Sequence, residues 1–196
     1  GIRAMRRPKA ASPDGKLAWL FVVSAIPASV AGVLFNSFID DRLGTPTVIG
    51  WSLIIFGLVL FGADRIAGQR DLSSVRLQDA GVIGLAQVLA LNPGTSRSGI
   101  TISAARAMGL QREAAVRFSF VMGIPVISGA FVFEMASLAK DGVPDGLVKA
   151  MVIGAAVSAV TGWLAVTGLL KLVRTRSFTP FVVYRIILGV VVLLVV

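Results

Sequence analysis

Five apolar runs, each about as long as a membrane-spanning helix, constrain this sequence more than any other feature. A bilayer core is about 30 Å thick, and an α-helix needs roughly 20 apolar residues to cross it. The hydrophobic residue types make up 56% of the chain, well above the share in an ordinary soluble domain. The runs cover residues 17–35, 46–66, 113–138, 147–171 and 180–196. We therefore predict an all-α polytopic membrane protein, with residues 1–196 forming one integral membrane domain.

The segment 80–109 is also apolar, but it is interrupted in its middle. Two apolar pieces, each too short to span a bilayer, flank the tip Asn92-Pro93-Gly94-Thr95-Ser96-Arg97-Ser98-Gly99. Non-helical backbone at membrane depth is tolerated only where protein or water satisfies its polar groups. We therefore expect five spanning helices plus one re-entrant helical hairpin over 80–109, with its tip in a buried polar cavity.

The distribution of basic residues supports the hairpin, because Lys and Arg accumulate in cytoplasmic loops. With residues 1–16 as a cytoplasmic segment and the hairpin returning to its own side, fourteen Lys and Arg face the cytoplasm, while Arg42 and Lys140 face outside. A full span over 80–109 would move the basic cluster at 171–176 outside and weaken this bias. Cytoplasmic loops thus explain the net charge of +9, and we expect no nucleic-acid partner.

The chain contains neither Cys nor His. Disulfides, thiolate or imidazole metal ligands and an imidazole base are therefore excluded for these residues. The acidic residues lie in loops or near the ends of spans, except Glu134, which we expect near the outer interface. We assign no metal-ligating residue.

Arg97 is the charged residue most out of place, since an ionised side chain at membrane depth usually faces a cavity and an anionic ligand or partner. A helix that resumes after the tip would direct its free N–H groups and positive dipole end at the same point. Hydroxyls and flexible backbone surround Arg97, from Gly94, Thr95, Ser96, Ser98 and Gly99. These features predict an oxyanion site. The alternative is a polar turn capped by Ser98.

Three other features of the sequence are better explained by helix packing or by contact with water than by a functional site. Small residues recur every four positions on one predicted helix and suit close helix packing; they are Gly154, Ser158 and Gly162. Pro27 and Pro125 lie inside spans, where we expect them to kink the helices. Arg185, in the last span, either pairs with a lipid phosphate or snorkels to the cytoplasmic interface, and we expect snorkelling.

Several segments together resemble one known family. They are Gly84-Leu85-Ala86-Gln87, Pro93-Gly94-Thr95-Ser96-Arg97-Ser98-Gly99, Met108-Gly109-Leu110, and Arg117-Phe118-Ser119-Phe120 with Ile124-Pro125. The resemblance extends across the whole chain and includes Ile26-Pro27 in the first span, Ser177-Phe178 with Pro180-Phe181, and Tyr184-Arg185. In these segments the sequence resembles the undecaprenyl-diphosphate phosphatases, the bacitracin-resistance family.

The resemblance implies a multi-pass enzyme of the bacterial inner membrane, built from two interdigitated inverted repeats. Its expected reaction removes the terminal phosphate of undecaprenyl diphosphate, which regenerates the carrier lipid for peptidoglycan synthesis and confers bacitracin resistance. By resemblance, the catalytic residues are Ser96, Arg97 and Ser98. The residues implied to bind the substrate are Pro93, Gly94, Thr95, Gly99 and Gln87. A divalent cation, Mg²⁺ or Ca²⁺, is expected with ligands outside this chain, and a homodimer is a further expectation.

The family's other signature, a Glu-rich segment leading into a Ser-Ser-Thr-Gly-His loop, is not found in these 196 residues. We therefore expect the given chain to be incomplete. The resemblance implies that Gln87 stands where the other repeat has a carboxylate. Gln87 then either contacts substrate or is a buried amide bonding between helices.

Two alternatives from other classes stay open. Inverted repeats with broken helices also occur in transporters, here for a lipid phosphate or an anion. The chain could also be a catalytically inactive fragment or a binding module. The type-2 phosphatidic acid phosphatase superfamily is disfavoured because its mechanism relies on histidines.

Overall fold

The computed structural model describes residues 13–35, 43–142 and 147–196, and the protein is mainly helical in these ranges. Seven α-helices lie in these ranges: α1 Pro13–Leu34, α2 Pro46–Asp64, α3 Leu77–Val88, α4 Arg97–Ala107, α5 Arg112–Asp141, α6 Leu147–Thr175 and α7 Thr179–Val195. Single 3₁₀ turns cover Leu72–Ser74 and Leu89–Leu91. The same ranges contain no β-strand beyond an isolated bridge between Arg70 and Leu110. The predicted all-α polytopic class is confirmed.

Four of these helices, α1, α2, α5 and α6, are long and apolar enough to cross a membrane. The helix α7, which falls on the fifth predicted span, has 17 residues and a rise of about 25 Å. It is therefore the shortest of the five. The exact boundaries of the spans in a bilayer remain a prediction, and the predicted cytoplasmic segment 1–16 lies mostly outside the described residues.

The interrupted segment 80–109 forms the two short helices α3 and α4, which pack against each other. At their outer ends, Arg70 N donates to Gly109 O at 3.0 Å, and Gln111 N donates to Arg70 O at 2.8 Å. The chain therefore enters and leaves this hairpin at the same end of the bundle. A re-entrant hairpin requires this geometry, while its depth in a membrane stays a prediction.

The hairpin packs against three other helices of the bundle. The helix α3 packs on α1, whereas α4 packs between α2 and α5, and α7 runs along α2. The contact of α3 with α1 depends on Gly84, where a Cβ would lie 2.5 Å from Ser24 O. Buried side chains such as Ile83, Phe118 and Met122 fill the space between these helices. The tip that joins α3 to α4 is partly covered by protein, since Thr95 and Gly99 are buried and the other tip residues are half-buried.

The helix α6 contacts the rest of the protein mainly through α5. Its predicted packing face does not meet another helix of the described protein. A Cβ on Gly154 or Gly162 would have no atom within 4 Å, and Ser158 is exposed. These small residues would permit a close approach, but no helix of the described residues packs on this face of α6. Pro27 and Pro125 lie inside α1 and α5 as expected.

Ion pairs join several helices at one end of the bundle. They are Arg112 with Asp64 at 2.5 Å, Arg174 with Glu113 at 2.8 Å and Arg70 with Asp79 at 2.5 Å. These arginines all belong to the set that the charge distribution assigns to the cytoplasm. The end of α2, the base of the hairpin, the start of α5 and the end of α6 thus meet on one side.

Candidate functional site

The tip loop is fixed against α2 by a close backbone contact and a side-chain hydrogen bond. Gly94 has a φ of +84°, and a Cβ there would lie 2.6 Å from Ile49 O, so this position requires glycine. Pro93 precedes it in the turn, which Thr95 N closes by donating to Asn92 O at 3.0 Å. Asn92 Nδ2 also donates to Ser52 Oγ at 2.7 Å. Sequence reasoning missed Ser52, whose only signal was a hydroxyl within an apolar run.

Ser96 begins the helix that follows the tip. Its Oγ accepts a hydrogen bond from Gly99 N at 3.1 Å and lies 3.3 Å from Ser98 Oγ. Ser96 is therefore the N-cap of α4, and the alternative interpretation of Ser98 as the capping residue is wrong. Because the cap satisfies only one N–H of the first turn, the N–H groups of Arg97 and Ser98 have no hydrogen-bond partner within the described ranges.

Arg97 extends from the first position of α4 toward α5. Its guanidinium lies against Gly123, where a Cβ would be 2.6 Å from Nη2 and 2.8 Å from Nη1. No carboxylate pairs with it in the part of the chain that the structure describes. The tip therefore combines an unpaired cation with free N–H groups, as an anion site requires.

A cavity of about 240 Å³ opens beside the tip, between α2, α4, α6 and α7. Its polar end contains Ser96, Ser98 and Arg185. Its other walls are apolar, formed mainly by Leu60, Ile102, Leu169, Phe178 and Phe181. The cavity is thus amphipathic, and its polar end includes Ser96, Ser98 and Gly99 of the predicted oxyanion site, whereas Arg97 does not line it.

Arg185 does not snorkel to the membrane interface, so that expectation is wrong. Its side chain is buried, and Nη2 donates to Gly94 O at 2.8 Å. The reason is packing, because α7 runs along α2 and turns this side chain toward the tip. The sequence shows an Arg six residues inside an apolar helix. It does not show whether this side chain faces lipid or the protein interior.

Gln87 is 2% exposed, yet neither of its amide atoms has a hydrogen-bond partner among the described residues. The predicted amide bond between helices is therefore not formed in this part of the chain. Gln87 also does not line the cavity beside Ser96. Its role as a substrate contact stays a prediction.

The tip offers no site for a metal ion by itself. No group of three His, Cys, Asp or Glu side chains comes together in the described ranges, and the tip supplies hydroxyls and positively polarised groups. Glu134 is exposed and lies about 16 Å beyond Gly123 along α5, so it is not part of the tip. These donors fit a phosphate group and do not fit Mg²⁺ or Ca²⁺.

Comparison with known proteins places nearly all of the chain in one set of relatives. A family model described as bacitracin resistance protein BacA matches residues 1–191. An undecaprenyl-diphosphatase of Geotalea daltonii is 43% identical over 176 residues, which cover 89% of this chain and 65% of that protein. Proteins of the same name from Elusimicrobium minutum and Desulforudis audaxviator are 40% and 44% identical, covering 97% and 93% of this chain and 71% and 69% of their own lengths. The chain thus spans about two thirds of the length of the curated relatives it matches.

Proposed function

Because this chain belongs to the bacitracin resistance protein family, we propose that it acts in the hydrolysis of undecaprenyl diphosphate to undecaprenyl phosphate and inorganic phosphate. It is a multi-pass membrane protein with four helices long and apolar enough to cross a bilayer. The observation that supports the reaction best is the tip, where Ser96 and Ser98 stand at one end of an amphipathic cavity. The first turn of α4 has free N–H groups there, and the unpaired Arg97 guanidinium lies on its α5 side, against Gly123.

The tip residues bind the charged head of the lipid in this proposal. The N–H groups of Arg97 and Ser98 and the Arg97 guanidinium donate to phosphate oxygens, because all of them lack partners in the described chain. Ser96 holds the first turn of α4 in place through its bond to Gly99 N, and Ser98 Oγ adds a hydroxyl beside the phosphate. These donors stabilise negative charge that builds up as the phosphate is transferred.

The reaction also needs a base, which we do not assign to a described residue. The chain has no His, and no carboxylate lines the cavity beside Ser96. The divalent cation implied by the resemblance stays a prediction, since the tip does not fit one. Chelation tests it: loss of phosphate release with EDTA and recovery with Mg²⁺ or Ca²⁺ are expected, and full activity in EDTA would contradict it.

The rest of the proposal concerns the cell. We place the protein in the bacterial inner membrane, where it regenerates the carrier lipid for peptidoglycan synthesis and confers bacitracin resistance. A homodimer is part of the proposal, because α6 leaves the small-residue face of Gly154 and Gly162 without a neighbour among the described helices.

Phosphate release from undecaprenyl diphosphate in detergent tests this function. The proteins are the 196-residue chain and a chimera that adds the portion of the Geotalea daltonii relative outside the match, with that relative as a positive control. We expect the chimera to release phosphate, and release by the chain alone would show that its own residues suffice. If both are folded by circular dichroism and neither releases phosphate while the relative does, the proposal fails.

A further inference from the structure

The close packing of α7 on α2 brings Arg185 to the tip. A Cβ on Gly189 would lie 2.8 Å from Gly50 O, and a Cβ on Gly57 would lie 3.6 Å from Arg185 Cβ. The two helix backbones are therefore in near contact along this face. Because Arg185 emerges from this contact, its guanidinium is directed into the protein and away from lipid.

The Arg185 guanidinium is only partly satisfied. The residue is 9% exposed, and one nitrogen, Nη2, donates to Gly94 O at 2.8 Å. Nη1 lies 3.8 Å from the position a Cβ would take on Gly99, and Nε is buried without a partner within the described ranges. Arg185 lines the same cavity as Ser96 and Ser98. Unused donors of this buried cation therefore reach the polar end of the cavity.

Two cations consequently flank the start of α4 from different sides. Arg97 points toward Gly123 on α5, whereas Arg185 comes from α7 and shares its cavity with apolar side chains. Neither forms an ion pair within the part of the chain described. The Arg185 guanidinium is buried and that of Arg97 is half-buried. Two such cations without carboxylates are costly in an apolar surrounding, unless a ligand with at least two negative charges contacts both.

We propose that Arg185 is the second phosphate-binding residue of the site, and that it binds the phosphate attached to the lipid tail. The terminal phosphate then lies at Arg97, and the first isoprene units leave along Leu169 and Phe181 on the apolar wall. This assignment follows from the cavity, because Arg185 is the cation that shares it with apolar side chains. It rests on the proposed function for the identity of the lipid.

The two roles predict different binding patterns for substrate and product. Loss of the Arg185 guanidinium weakens the binding of undecaprenyl diphosphate and of undecaprenyl phosphate, because both carry the tail-linked phosphate. Loss of the Arg97 guanidinium weakens the diphosphate and leaves the monophosphate nearly unchanged. Removal of charge-assisted hydrogen bonds predicts a change of about tenfold or more in Kd.

Binding of both lipids to the purified 196-residue chain in detergent, by microscale thermophoresis, tests the proposal. The variants are Arg185→Gln, Arg185→Lys, Arg97→Gln and the double variant, with Arg117→Gln as a control at an exposed ion pair with Glu113. For undecaprenyl phosphate, we expect Arg185→Gln and the double variant to lose affinity by the same factor, and Arg185→Lys to lose less. We expect Arg97→Gln and Arg117→Gln to keep nearly all of the wild-type affinity for this lipid.

A purely structural role for Arg185 gives a different result. If Arg185 only holds the loop through Gly94 O, its loss disturbs Arg97 as well, and Arg185→Gln then reproduces the pattern of Arg97→Gln, with monophosphate binding retained. That result overturns the proposal. If thermal unfolding shows that Arg185→Gln is not folded, the affinities of Arg185→Lys test the proposal instead. Unchanged affinity of Arg185→Lys for both lipids would contradict a role that needs several guanidinium donors. If the wild-type chain binds both lipids in this pattern but the chimera releases no phosphate, the result counts against the proposed function and not against this inference.

Discussion

The position of the Arg97 guanidinium depends on the absence of a side chain at Gly123. A Cβ there would lie 2.6 Å from Nη2 and 2.8 Å from Nη1. Since the guanidinium is the flexible end of its side chain, an added methyl group should displace it and leave the fold intact. We expect Gly123→Ala to lower phosphate release by about tenfold to 100-fold, with an unfolding free energy within about 1 kcal/mol of the wild type.

A matched control exists on the same helix. A Cβ on Gly129 meets no atom within 4 Å, so Gly129→Ala makes the same chemical change to α5 without touching Arg97. Parallel phosphate-release assays on the active protein and thermal unfolding of both variants give the comparison. Similar activities for the two variants would mean that the contact with Gly123 does not position Arg97.

The two serines of the tip differ in what they do for the fold. Ser96 caps α4 by accepting from Gly99 N at 3.1 Å, whereas Ser98 caps nothing and lies 3.3 Å from Ser96 Oγ. We expect Ser96→Ala to lower the unfolding free energy by about 1 kcal/mol and Ser98→Ala to leave it nearly unchanged. Thermal unfolding followed by circular dichroism measures this difference, and equal loss in both variants would contradict the assignment of the cap.

Sequence reasoning at this scale predicted which residues gather at the tip, because Ser96, Arg97 and Ser98 are neighbours in the chain and unusual in an apolar segment. It did not predict Arg185 or Ser52, since both come from other helices. The sequence of an apolar helix does not show whether an Arg within it faces lipid or protein. Only the packing of α7 on α2 decides between the two.

At the scale of elements, α3 is held on α1 by a glycine. A Cβ on Gly84 would lie 2.5 Å from Ser24 O and 3.0 Å from Ser24 Cα, both backbone atoms that cannot move without separating the helices. We expect Gly84→Ala to destabilise the protein by about 2 kcal/mol. Gly81→Ala, on the same helix with no atom within 4 Å of the added Cβ, should be neutral or stabilising. Unfolding measurements that rank the two variants the other way would contradict this contact.

The base of the hairpin depends on one buried carboxylate. Arg70 donates to both oxygens of Asp79, at 3.0 and 2.5 Å, and Arg76 N donates to Asp79 Oδ2 at 2.8 Å. The hydrogen bonds from the Arg70 guanidinium hold the pKa of Asp79 below its usual value. A carboxyl whose pKa is lowered by folding adds stability that is present above its unfolded pKa and is lost as the pH falls through the folded pKa.

Asp79→Asn should therefore show a pH-dependent effect. We expect it to lower the unfolding free energy by about 2 kcal/mol at pH 7. The difference from the wild type should shrink once the pH falls below about 3.9, the usual pKa of an unfolded Asp, because the unfolded wild-type chain then binds a proton at this carboxyl while the folded protein does not. Unfolding at a series of pH values between about 7 and 3 measures it, and a difference that stays constant over this range would contradict the pairing.

The elements were easier to predict than their contacts. The long apolar runs and the interrupted segment 80–109 gave the helices directly, because length and hydropathy in a membrane protein leave few alternatives. The partner of each helix was not predictable, and the small-residue face of α6 shows why. Gly154 and Gly162 indicate that a close neighbour is allowed, but they do not say which segment or molecule supplies it.

At the scale of the whole molecule, the hairpin carries the tip away from the charged end of the bundle. The tip contacts Ser52, which lies about 18 Å along α2 from Asp64, a residue of the charged end. The membrane topology predicted from the basic residues therefore places the tip well inside a bilayer. The absence of native Cys makes this arrangement easy to test by labelling.

Single cysteines in place of the exposed Ser73, Gln111 and Arg176 should react with a membrane-impermeant maleimide from the cytoplasmic side. A cysteine in place of the exposed Lys140, at the other end of α5, should react from the opposite side. Labelling in right-side-out and inverted vesicles separates the two cases. Opposite sides for positions 73 and 111 would contradict the re-entrant hairpin, because these positions flank it.

The central claim is that Arg97 at the hairpin tip binds the diphosphate that the protein hydrolyses. Phosphate release from undecaprenyl diphosphate by Arg97→Ala, compared with the unsubstituted protein in the same active form and at equal folded concentration, tests it most directly. We expect the variant to lose turnover by about 100-fold or more, as for the loss of a group that stabilises transition-state charge, with unfolding unchanged. Near-normal phosphate release by a folded Arg97→Ala protein would contradict the claim.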